Sequence, residues 1–234
     1  MEVEDHYWWH QVLRSLVLAE LNIRLGESAK ILDVGCGTGG MLNQISKERP
    51  LWGCVGIDAS ASAVGYCHGR GLGNVTVADA SDLPFPAGTF DAVLCLDVLY
   101  HEAVAEELAL AEMQRVVKSG GCFTLNLPAF DLLRGAHDKA VCGARRYKVG
   151  QVLKMLSSVK MRVKLIHYWN AWLFCPLLLW RHCSRIKRMQ SSDMQTLPLW
   201  LNGILEHCGR VDTKMSRLLR LPFGSSLFVV AVKR

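Results

Sequence analysis

The chain has 234 residues, of which 50% are hydrophobic, 21% are charged and 9 are cysteines. This length suits one sizeable domain or a domain with a cap, and the apolar fraction excludes wholesale disorder. The odd cysteine count and the absence of a C-x-x-C pair argue against a disulfide framework and against a zinc site. We therefore expect buried free thiols, a reducing and hence cytoplasmic compartment, and no metal.

The charges are divided unevenly between the two halves of the chain, although the net formal charge is only +6. Residues 1–117 contain 7 Lys and Arg against 16 Asp and Glu, whereas residues 118–234 contain 20 against 5. The basic half predicts an anionic partner: a phosphate-bearing substrate, a membrane surface or nucleic acid. The alternative is a solvated surface that the acidic half partly neutralises. The acidic first residues lead into no apolar run, which is not the pattern of a secretory signal.

Apolar runs bounded by Gly, Pro, Asn or Asp alternate with helical stretches along the chain. The runs predict seven strands, at Ala29–Val34, Gly53–Asp58, Asn74–Ala78, Phe90–Leu96, Gly121–Leu127, Met161–Tyr168 and Ser226–Val232. Helices are predicted near Trp8–Arg24, Thr38–Lys47, Ser60–Arg70, Ala103–Val117 and Val149–Ser158. Nearly continuous apolar strands that alternate with helices are typical of a parallel α/β sheet covered on both faces.

The last two predicted strands are expected to pair antiparallel, yet residues 169–225 lie between them. That connection is far too long for a plain hairpin loop, so we expect a helical cap inserted before the last strand. The predicted organisation is an N-terminal lid or helix at 1–28, a core at 29–168, the cap at 169–225 and the last strand of the core at 226–234.

The most informative segment is the glycine-rich turn that follows the first strand, which ends in Asp33-Val34. Its glycines let a backbone pass close to a ligand where any Cβ would clash. The second strand ends in Asp58, and a carboxylate there suits the hydroxyls of a ribose. The literal pattern G-x-G-x-x-G is a weak indication of a dinucleotide. Because a carboxylate at Asp33 repels a pyrophosphate and attracts a cation, S-adenosylmethionine (SAM) fits better than NAD.

These motifs resemble a class I SAM-dependent methyltransferase in their order and spacing, over roughly residues 30–127. The matching stretches are ILDVGCGTGG, VGIDAS, VTVADASDLPFPAGTFDAVLCLDVLYH and VVKSGG. The resemblance implies a Rossmann-like, seven-stranded and mostly parallel sheet with one antiparallel strand. It also implies a cofactor site: Asp33, Gly35, Gly37 and Gly39 at the methionine end of SAM, Asp58 with Ala59 at the ribose, Asp79 and Ala80 at the adenine, and Asp97 and Leu99 behind the methionine moiety.

Outside these motifs the chain is similar to a bacterial subgroup of the same family, methyltransferase type 11 like, over nearly its whole length. The matching stretches are HYWW, NLPAFDLL with AHDKAVCGARRY, YWNAWLFCPLLLWR, SDMQTLPLWLN and LPFGSSLFVVAV. Members of the subgroup often look suited to lipid-linked or isoprenoid-type acceptors. The resemblance therefore implies methyl transfer from SAM, with S-adenosylhomocysteine as the product, to a small-molecule or lipid-like acceptor, and the basic half suits an anionic one.

Methyl transfer to oxygen or nitrogen needs a base that takes the acceptor's proton. His101 and His137 follow strands that end at the same edge of the predicted sheet, so we predict them as catalytic bases or acceptor-orienting groups. The alternative for each is a helix cap or a hydrogen-bonded loop residue.

Two further groups are predicted to contact the acceptor. Paired arginines can clamp a phosphate or carboxylate, which suggests a role for Arg145, Arg146 and the adjacent Tyr147; the alternative is that they tie their loop to the acidic half. Tyr7, Trp8 and Trp9 have apolar faces that suit a lid over the cofactor or acceptor. For these three the alternative is an ordinary helix packed on the domain.

The stretch Leu165–Trp180 is nearly free of charge but falls short of the about twenty residues that span a bilayer. Arg181, Arg185, Lys187 and Arg188 follow it. This pattern suits an interfacial element on an anionic membrane, which would make the protein peripheral. The alternatives are a buried strand and helix of the cap, or a dimer interface.

Two other classes of function stay open at this point. One is a catalytically inactive, methyltransferase-like module that binds SAM. The other is an NAD-dependent oxidoreductase, which the glycine pattern alone permits. RNA methylation is less favoured, because the chain contains no nucleic-acid-binding motif. The sequence does not determine the acceptor, the methylated atom or the oligomeric state.

Overall fold

The computed structural model describes residues 5–135, 138, 140–187 and 197–234. In these residues the strands are β1 Lys30–Val34, β2 Gly53–Asp58, β3 Val75–Val77, β4 Phe90–Leu96, β5 Val117–Pro128, β6 Met161–Trp169 and β7 Ser226–Lys233. The α-helices are α1 Trp8–Arg24, α2 Gly40–Glu48, α3 Ala61–Gly69, α4 Glu106–Val116, α5 Val149–Ser158, α6 Phe174–Lys187 and α7 Leu199–Leu219. The seven predicted strands and five predicted helices are all present, with small differences at their ends.

The seven strands form one sheet in the order β3-β2-β1-β4-β5-β7-β6. Strands β1 to β5 pair in parallel, and β7 is antiparallel to both β5 and β6. The predicted antiparallel pairing of the last two strands and the Rossmann-like α/β class are therefore confirmed. Strand order reverses at β1, which lies between β2 and β4, and open α/β sheets bind ligands at such a switch point.

Helices cover both faces of the sheet because its strands alternate their side chains between two apolar cores. On one face Phe123 of β5 is fully buried in a core with Met113 of α4 and Leu156 of α5. On the other face Cys122 is buried in a second core with Leu21 of α1. The helix that precedes the first strand is therefore an integral part of the fold.

Two helices, α6 and α7, lie within residues 169–225, where the sequence predicts a helical cap. Helix α7 packs closely on α1, since a Cβ at Gly209 would lie 2.9 Å from Val12 Cγ2. Asp212 of α7 accepts hydrogen bonds from the backbone N–H groups of Asn170, Ala171 and Trp172 at 2.6, 3.0 and 3.3 Å. Helix α7 thus fastens the chain that leaves β6; the domain boundaries drawn from the sequence stay a prediction.

The apolar stretch Leu165–Trp180 is divided between β6 and α6. Trp169 is fully buried in the sheet, whereas Leu179 and Trp180 are exposed on α6. The alternative of a buried strand followed by a helix therefore describes its first part. In the described residues, every helix falls short of the length and apolarity that a bilayer span requires.

Candidate active site

The glycine turn connects β1 to α2 at the carboxyl edge of the sheet, and Gly35, Gly37 and Gly39 have φ of +73°, +55° and +78°. A Cβ at Gly35 would lie 2.3 Å from Val98 Cγ2, and one at Gly39 would lie 2.4 Å from Leu72 Cδ1. These two glycines are required for the packing of the turn. A Cβ at Gly37 meets no described atom within 4 Å. The space beside Gly37 is therefore open to a ligand.

Asp58 fastens this turn to the end of β2. Its Oδ2 accepts a hydrogen bond from Gly37 N at 2.8 Å, and its Oδ1 accepts one from Ser60 N at 2.8 Å. The side chain is half-buried, and each carboxylate oxygen has a second lone pair. Asp58 can therefore accept two hydroxyl hydrogens of a diol while it holds the turn. The adjacent Ala59 is exposed.

Asp79 and Ala80 follow β3, the strand beyond β2 on the same edge of the sheet. Asp79 is exposed, and its Oδ1 accepts a hydrogen bond from Ser81 N at 2.7 Å. Ala80 is buried in the apolar core. The Asp79 carboxylate thus has accepting capacity left toward solvent, where the planar base of a nucleoside can lie.

A cavity of about 910 Å³ opens beside the glycine turn and extends away from it. Of the residues predicted for the site, it is lined by Tyr7, Trp8, Trp9, Asp33, Gly35, Gly37, Asp97, His101 and Arg146. The predicted residues Gly39, Asp58, Ala59, Asp79, Ala80, Leu99, Arg145 and Tyr147 do not line it. Its lining also includes several apolar side chains, namely Leu133, Leu173, Leu177, Leu197 and Leu205.

The segment before α1 is fastened across the glycine turn by Asp5. Asp5 Oδ2 pairs with Arg70 Nη2 at 2.8 Å, and Arg70 Nη1 donates to Thr38 O in the turn at 3.1 Å. The Asp5 carbonyl accepts a hydrogen bond from Arg14 Nη2 at 2.9 Å. A Cβ at Gly40 would lie 2.4 Å from Arg14 Nη1, so this guanidinium covers the start of α2. Arg14 is buried and lines the cavity, although no sequence motif marks it.

The aromatic residues of this segment are held by the far end of the chain. Trp8 N donates to Asn202 Oδ1 of α7 at 2.8 Å, and Trp9 stacks on the buried Trp169 with ring centroids 5.6 Å apart. Trp8 is 5% exposed and belongs to the core that α1 forms on the sheet. These residues therefore pack as an ordinary helix start and also form a wall of the cavity.

Asp97 follows β4 with a positive φ of 56° and lines the cavity close to the turn. Its Oδ2 accepts a hydrogen bond from Asn126 Nδ2 at 2.7 Å. Burial raises the pKa of Asp97 to about 7, although the hydrogen bond from Asn126 and the charge of Arg146 both lower it. The charge of this carboxyl therefore changes near neutral pH.

His101 lies on the cavity wall with its ring stacked on Tyr100, at a centroid distance of 4.2 Å. Its Nδ1 lies 2.8 Å from Val141 O. Because a carbonyl can only accept, Nδ1 carries the hydrogen, which leaves Nε2 of the neutral ring as a proton acceptor. His101 is thus a hydrogen-bonded loop residue whose second nitrogen is available for chemistry. His137, the other predicted base, lies outside the described residues.

Arg145 and Tyr147 bind the protein's own backbone. Arg145 Nη1 donates to Leu99 O at 3.0 Å and to His101 O at 2.8 Å. The hydroxyl of the buried Tyr147 donates to Leu99 O at 3.1 Å and also lies next to the carboxylate of Glu106. Both side chains tie their loop to the acidic half of the chain, which is the alternative interpretation of their role.

Arg146, by contrast, lines the cavity together with Asp138 and Arg181, and all three side chains are buried. Asp138 Oδ1 lies 2.7 Å from Arg146 Nε, and Asp138 Oδ2 lies 3.5 Å from Arg181 Nη1. Burial raises the pKa of Asp138, but Arg146 and Arg181 outweigh it and hold this pKa below its ordinary value. Among the residues that the structure describes, these two guanidinium groups and one carboxylate carry a formal charge of +1.

Asn170 is a further cavity residue that the sequence analysis missed. Its side chain is 0% exposed, and neither amide atom has a hydrogen-bond partner among the residues that the structure describes. A buried amide of this kind costs free energy until a ligand or water satisfies it. No sequence signal marks Asn170, since its position depends on Asp212 of α7.

No cluster of three or more His, Cys, Asp or Glu side chains that could hold a metal ion occurs in the described part of the chain. Cys36, Cys67, Cys95 and Cys122 are buried as free thiols. Burial raises the pKa of Cys122 to about 11, so its thiol stays protonated at neutral pH.

Residues 32–125 match the protein family described as "Methyltransferase domain". A tRNA (carboxymethyluridine(34)-5-O)-methyltransferase of Xenopus tropicalis is 36% identical over 99 residues, 42% of this chain and 15% of that protein. The fatty-acid O-methyltransferase of Mycolicibacterium smegmatis is 34% identical over 112 residues, 45% of this chain and 40% of that protein. The match thus spans less than half of each relative.

Solved structures show the same fold. The geranyl diphosphate C-methyltransferase from Streptomyces coelicolor, in complex with geranyl diphosphate and S-adenosylhomocysteine, has a TM-score of 0.64 at 15% identity and covers 96% of this chain and 80% of its own. The [4+2]-cyclase SpnF has a TM-score of 0.62 at 21% identity, covering 96% and 82%. The chain therefore contains a methyltransferase domain at residues 32–125 and has the fold of these solved structures.

Proposed function

We propose that this chain transfers the methyl group of SAM to a small, lipid-like acceptor that carries an anionic group. The observation that carries the proposal is a cavity whose lining includes the glycine turn, the buried Arg146, Asp138 and Arg181, and several leucines. A cavity lined by cationic and apolar side chains suits a molecule with one charged group and a hydrocarbon chain.

The residues at the turn fit SAM in charge and in shape. Asp33 and Asp97 suit its ammonium group, and the Arg14 guanidinium at the start of α2 suits its carboxylate. Asp58 accepts from the ribose hydroxyls and Asp79 from the adenine amine. When bound, SAM supplies an electrophilic methyl group on a sulfonium.

The chain's own contribution is to place the acceptor and to take its proton. The apolar walls exclude water and align the acceptor, and positioning supplies most of the catalysis of such a transfer. His101 Nε2 accepts the proton of an acceptor hydroxyl or amine, because Nδ1 is fixed as the donor to Val141 O. The Tyr7–Trp9 segment closes the side of the cavity next to the cofactor.

The names of several relatives support this acceptor class. One relative is a fatty-acid O-methyltransferase, and another, 35% identical over 118 residues, is the ubiquinone/menaquinone biosynthesis C-methyltransferase UbiE of Cupriavidus pinatubonensis. The structural neighbour from Streptomyces coelicolor acts on geranyl diphosphate. A carboxylate or a diphosphate on a hydrocarbon chain would each find a cationic cavity lining complementary.

A second candidate is a SAM-binding protein that transfers no methyl group. The structural neighbour SpnF, a [4+2]-cyclase, shows that this fold also occurs in a protein named for another reaction. Turnover distinguishes the two candidates.

The test is release of S-adenosylhomocysteine from SAM in the presence of a fatty acid, geranyl diphosphate, a reduced quinone or RNA. We expect release with an anionic amphiphile, and strong loss of that release in Arg146→Met and His101→Ala. Tight SAM binding without release with any acceptor would support the second candidate. Release with RNA alone would contradict the proposed acceptor class.

A further inference from the structure

Helix α7 presents its small and polar side to the protein and its apolar side to solvent. Its buried residues are Gly209, Asp212, Thr213 and Ser216. These residues have local reasons to face inward. Gly209 allows close contact with α1, and Asp212 and Ser216 bond to each other while Asp212 holds the chain after β6.

The outward side of α7 carries a stripe of five apolar residues: Trp200, Ile204, Val211, Met215 and Leu218. With 3.6 residues per turn these five fall within about 60° of arc along nearly the whole helix. Trp200 is 69% exposed and Leu218 is 82% exposed. An apolar stripe of this length left in water is the mark of an interaction surface rather than of scattered exposed residues.

Basic residues lie along one edge of the stripe, since at 3.6 residues per turn Lys214, Arg210 and Arg217 follow it at about 40°, 80° and 100°. All three are exposed, as is Arg220, the residue that caps the helix. Arg210 pairs with Glu206, and Arg217 pairs with Glu20. Lys214 and Arg220 have no ion pair within the described residues, so their charges are available to an anionic partner. An apolar stripe with a cationic edge has the chemistry of a helix that lies in the interface of an anionic bilayer.

We propose that the outward face of α7 docks the protein on an anionic lipid bilayer. The inward side of the same helix contributes Leu205 to the cavity wall. Docking through α7 therefore leaves this one helix between the lipid phase and the cavity. The inference rests on the proposed function for the identity of that acceptor, but its test measures lipid binding alone.

The test is flotation of the purified protein with vesicles of phosphatidylcholine, with or without phosphatidylglycerol. The double variant Trp200→Gln, Leu218→Gln should lower the fraction that floats with anionic vesicles on the order of tenfold, because two large apolar side chains no longer leave water. Charge reversal at Lys214 and Arg220 should lower it as well, and high salt should weaken what remains.

The matched control is Ile23→Gln, Leu51→Gln, which removes two apolar residues that are 67% and 70% exposed elsewhere. It should float as the wild type does. Three results would overturn the proposal: no flotation of the wild type, equal flotation of the α7 and control variants, or a dimer that only the α7 variants disperse. S-adenosylhomocysteine affinity is measured on every variant, so that a protein that floats without binding this ligand refutes the proposed function and not the docking.

Discussion

Asn126 Nδ2 donates a hydrogen bond to Asp97 Oδ2 at 2.7 Å, and Asn126 thereby links Asp97 to the N-terminal aromatic residues. Trp169 donates to Asn126 Oδ1 at 2.9 Å, and Trp9 stacks on Trp169. Asn126 and Trp169 are fully buried, whereas Trp9 and Asp97 both line the cavity. Trp9 and Asp97 are therefore linked through two buried side chains, Trp169 and Asn126.

The raised pKa of Asp97, about 7, predicts a pH-dependent contribution to stability. Between the unfolded pKa of about 4 and the folded pKa, the folded state holds a proton that the unfolded state has released. This group therefore lowers the free energy of unfolding as the pH rises through that range. In Asp97→Asn we expect this contribution to disappear, so that the variant gains stability relative to wild type between pH 5 and pH 8.

Urea unfolding of the wild type and of Asp97→Asn across this pH range measures the difference between their free energies of unfolding. The contributions of the other carboxyl groups cancel in that difference. A constant stability difference between wild type and Asp97→Asn at every pH would contradict the raised pKa.

Substitution of the buried Asp138 is expected to lower the stability of the protein, in contrast to the gain expected for Asp97→Asn. Asp138→Asn leaves the guanidinium groups of Arg146 and Arg181 without their carboxylate, and breaking a buried pair costs about 3–5 kcal/mol. The depressed pKa of Asp138 means that its stabilisation is present at neutral pH and is lost as the pH falls through the folded pKa.

Thermal and urea denaturation at neutral pH measure the loss. Asp131→Asn is the matched control, because Asp131 pairs with Arg134 on the surface and such a pair contributes less than about 1 kcal/mol. An equal loss of stability in the two variants would show that the Asp138 ion pairs contribute no more than an exposed surface pair.

Asn170 is expected to bind a polar group of the acceptor. Asn170→Gly removes the buried amide and keeps the positive φ of 56°, which glycine adopts without strain. We expect a rise in KM for the acceptor with unchanged affinity for SAM, and a stability change within about 1 kcal/mol because the lost amide made no hydrogen bond with the described residues.

Steady-state kinetics with the acceptor found in the turnover assay measures the effect. Lys160→Gly is the matched control, because it also places glycine at a residue with a positive φ, 58°, but at an exposed position. It should leave KM unchanged. A loss of SAM affinity in Asn170→Gly would place this residue at the cofactor instead.

The sequence predicts the sheet and the glycine turn because both depend on short segments. Asp33 and Asp58 are marked by strands that end next to them, and the glycine turn lies between them. The other cavity residues depend on contacts distant in the chain. Arg145 and Arg146 are adjacent in the sequence, and nothing in it distinguishes their roles. In the structure Arg146 binds the buried Asp138, whereas Arg145 binds backbone carbonyls. Asn170 is positioned by Asp212, 42 residues away.

The most direct test of the central claim is a calorimetric titration of the purified chain with S-adenosylhomocysteine and with NAD. We expect binding of S-adenosylhomocysteine, weaker or no binding of NAD, and an affinity for S-adenosylhomocysteine that falls about 10- to 100-fold in Asp58→Ala, because charge-assisted hydrogen bonds to the ribose are lost. Asp82→Ala, at an exposed carboxylate, is the control and should bind as the wild type does. Undiminished affinity in Asp58→Ala, or tighter binding of NAD, would contradict the assignment of this site to SAM.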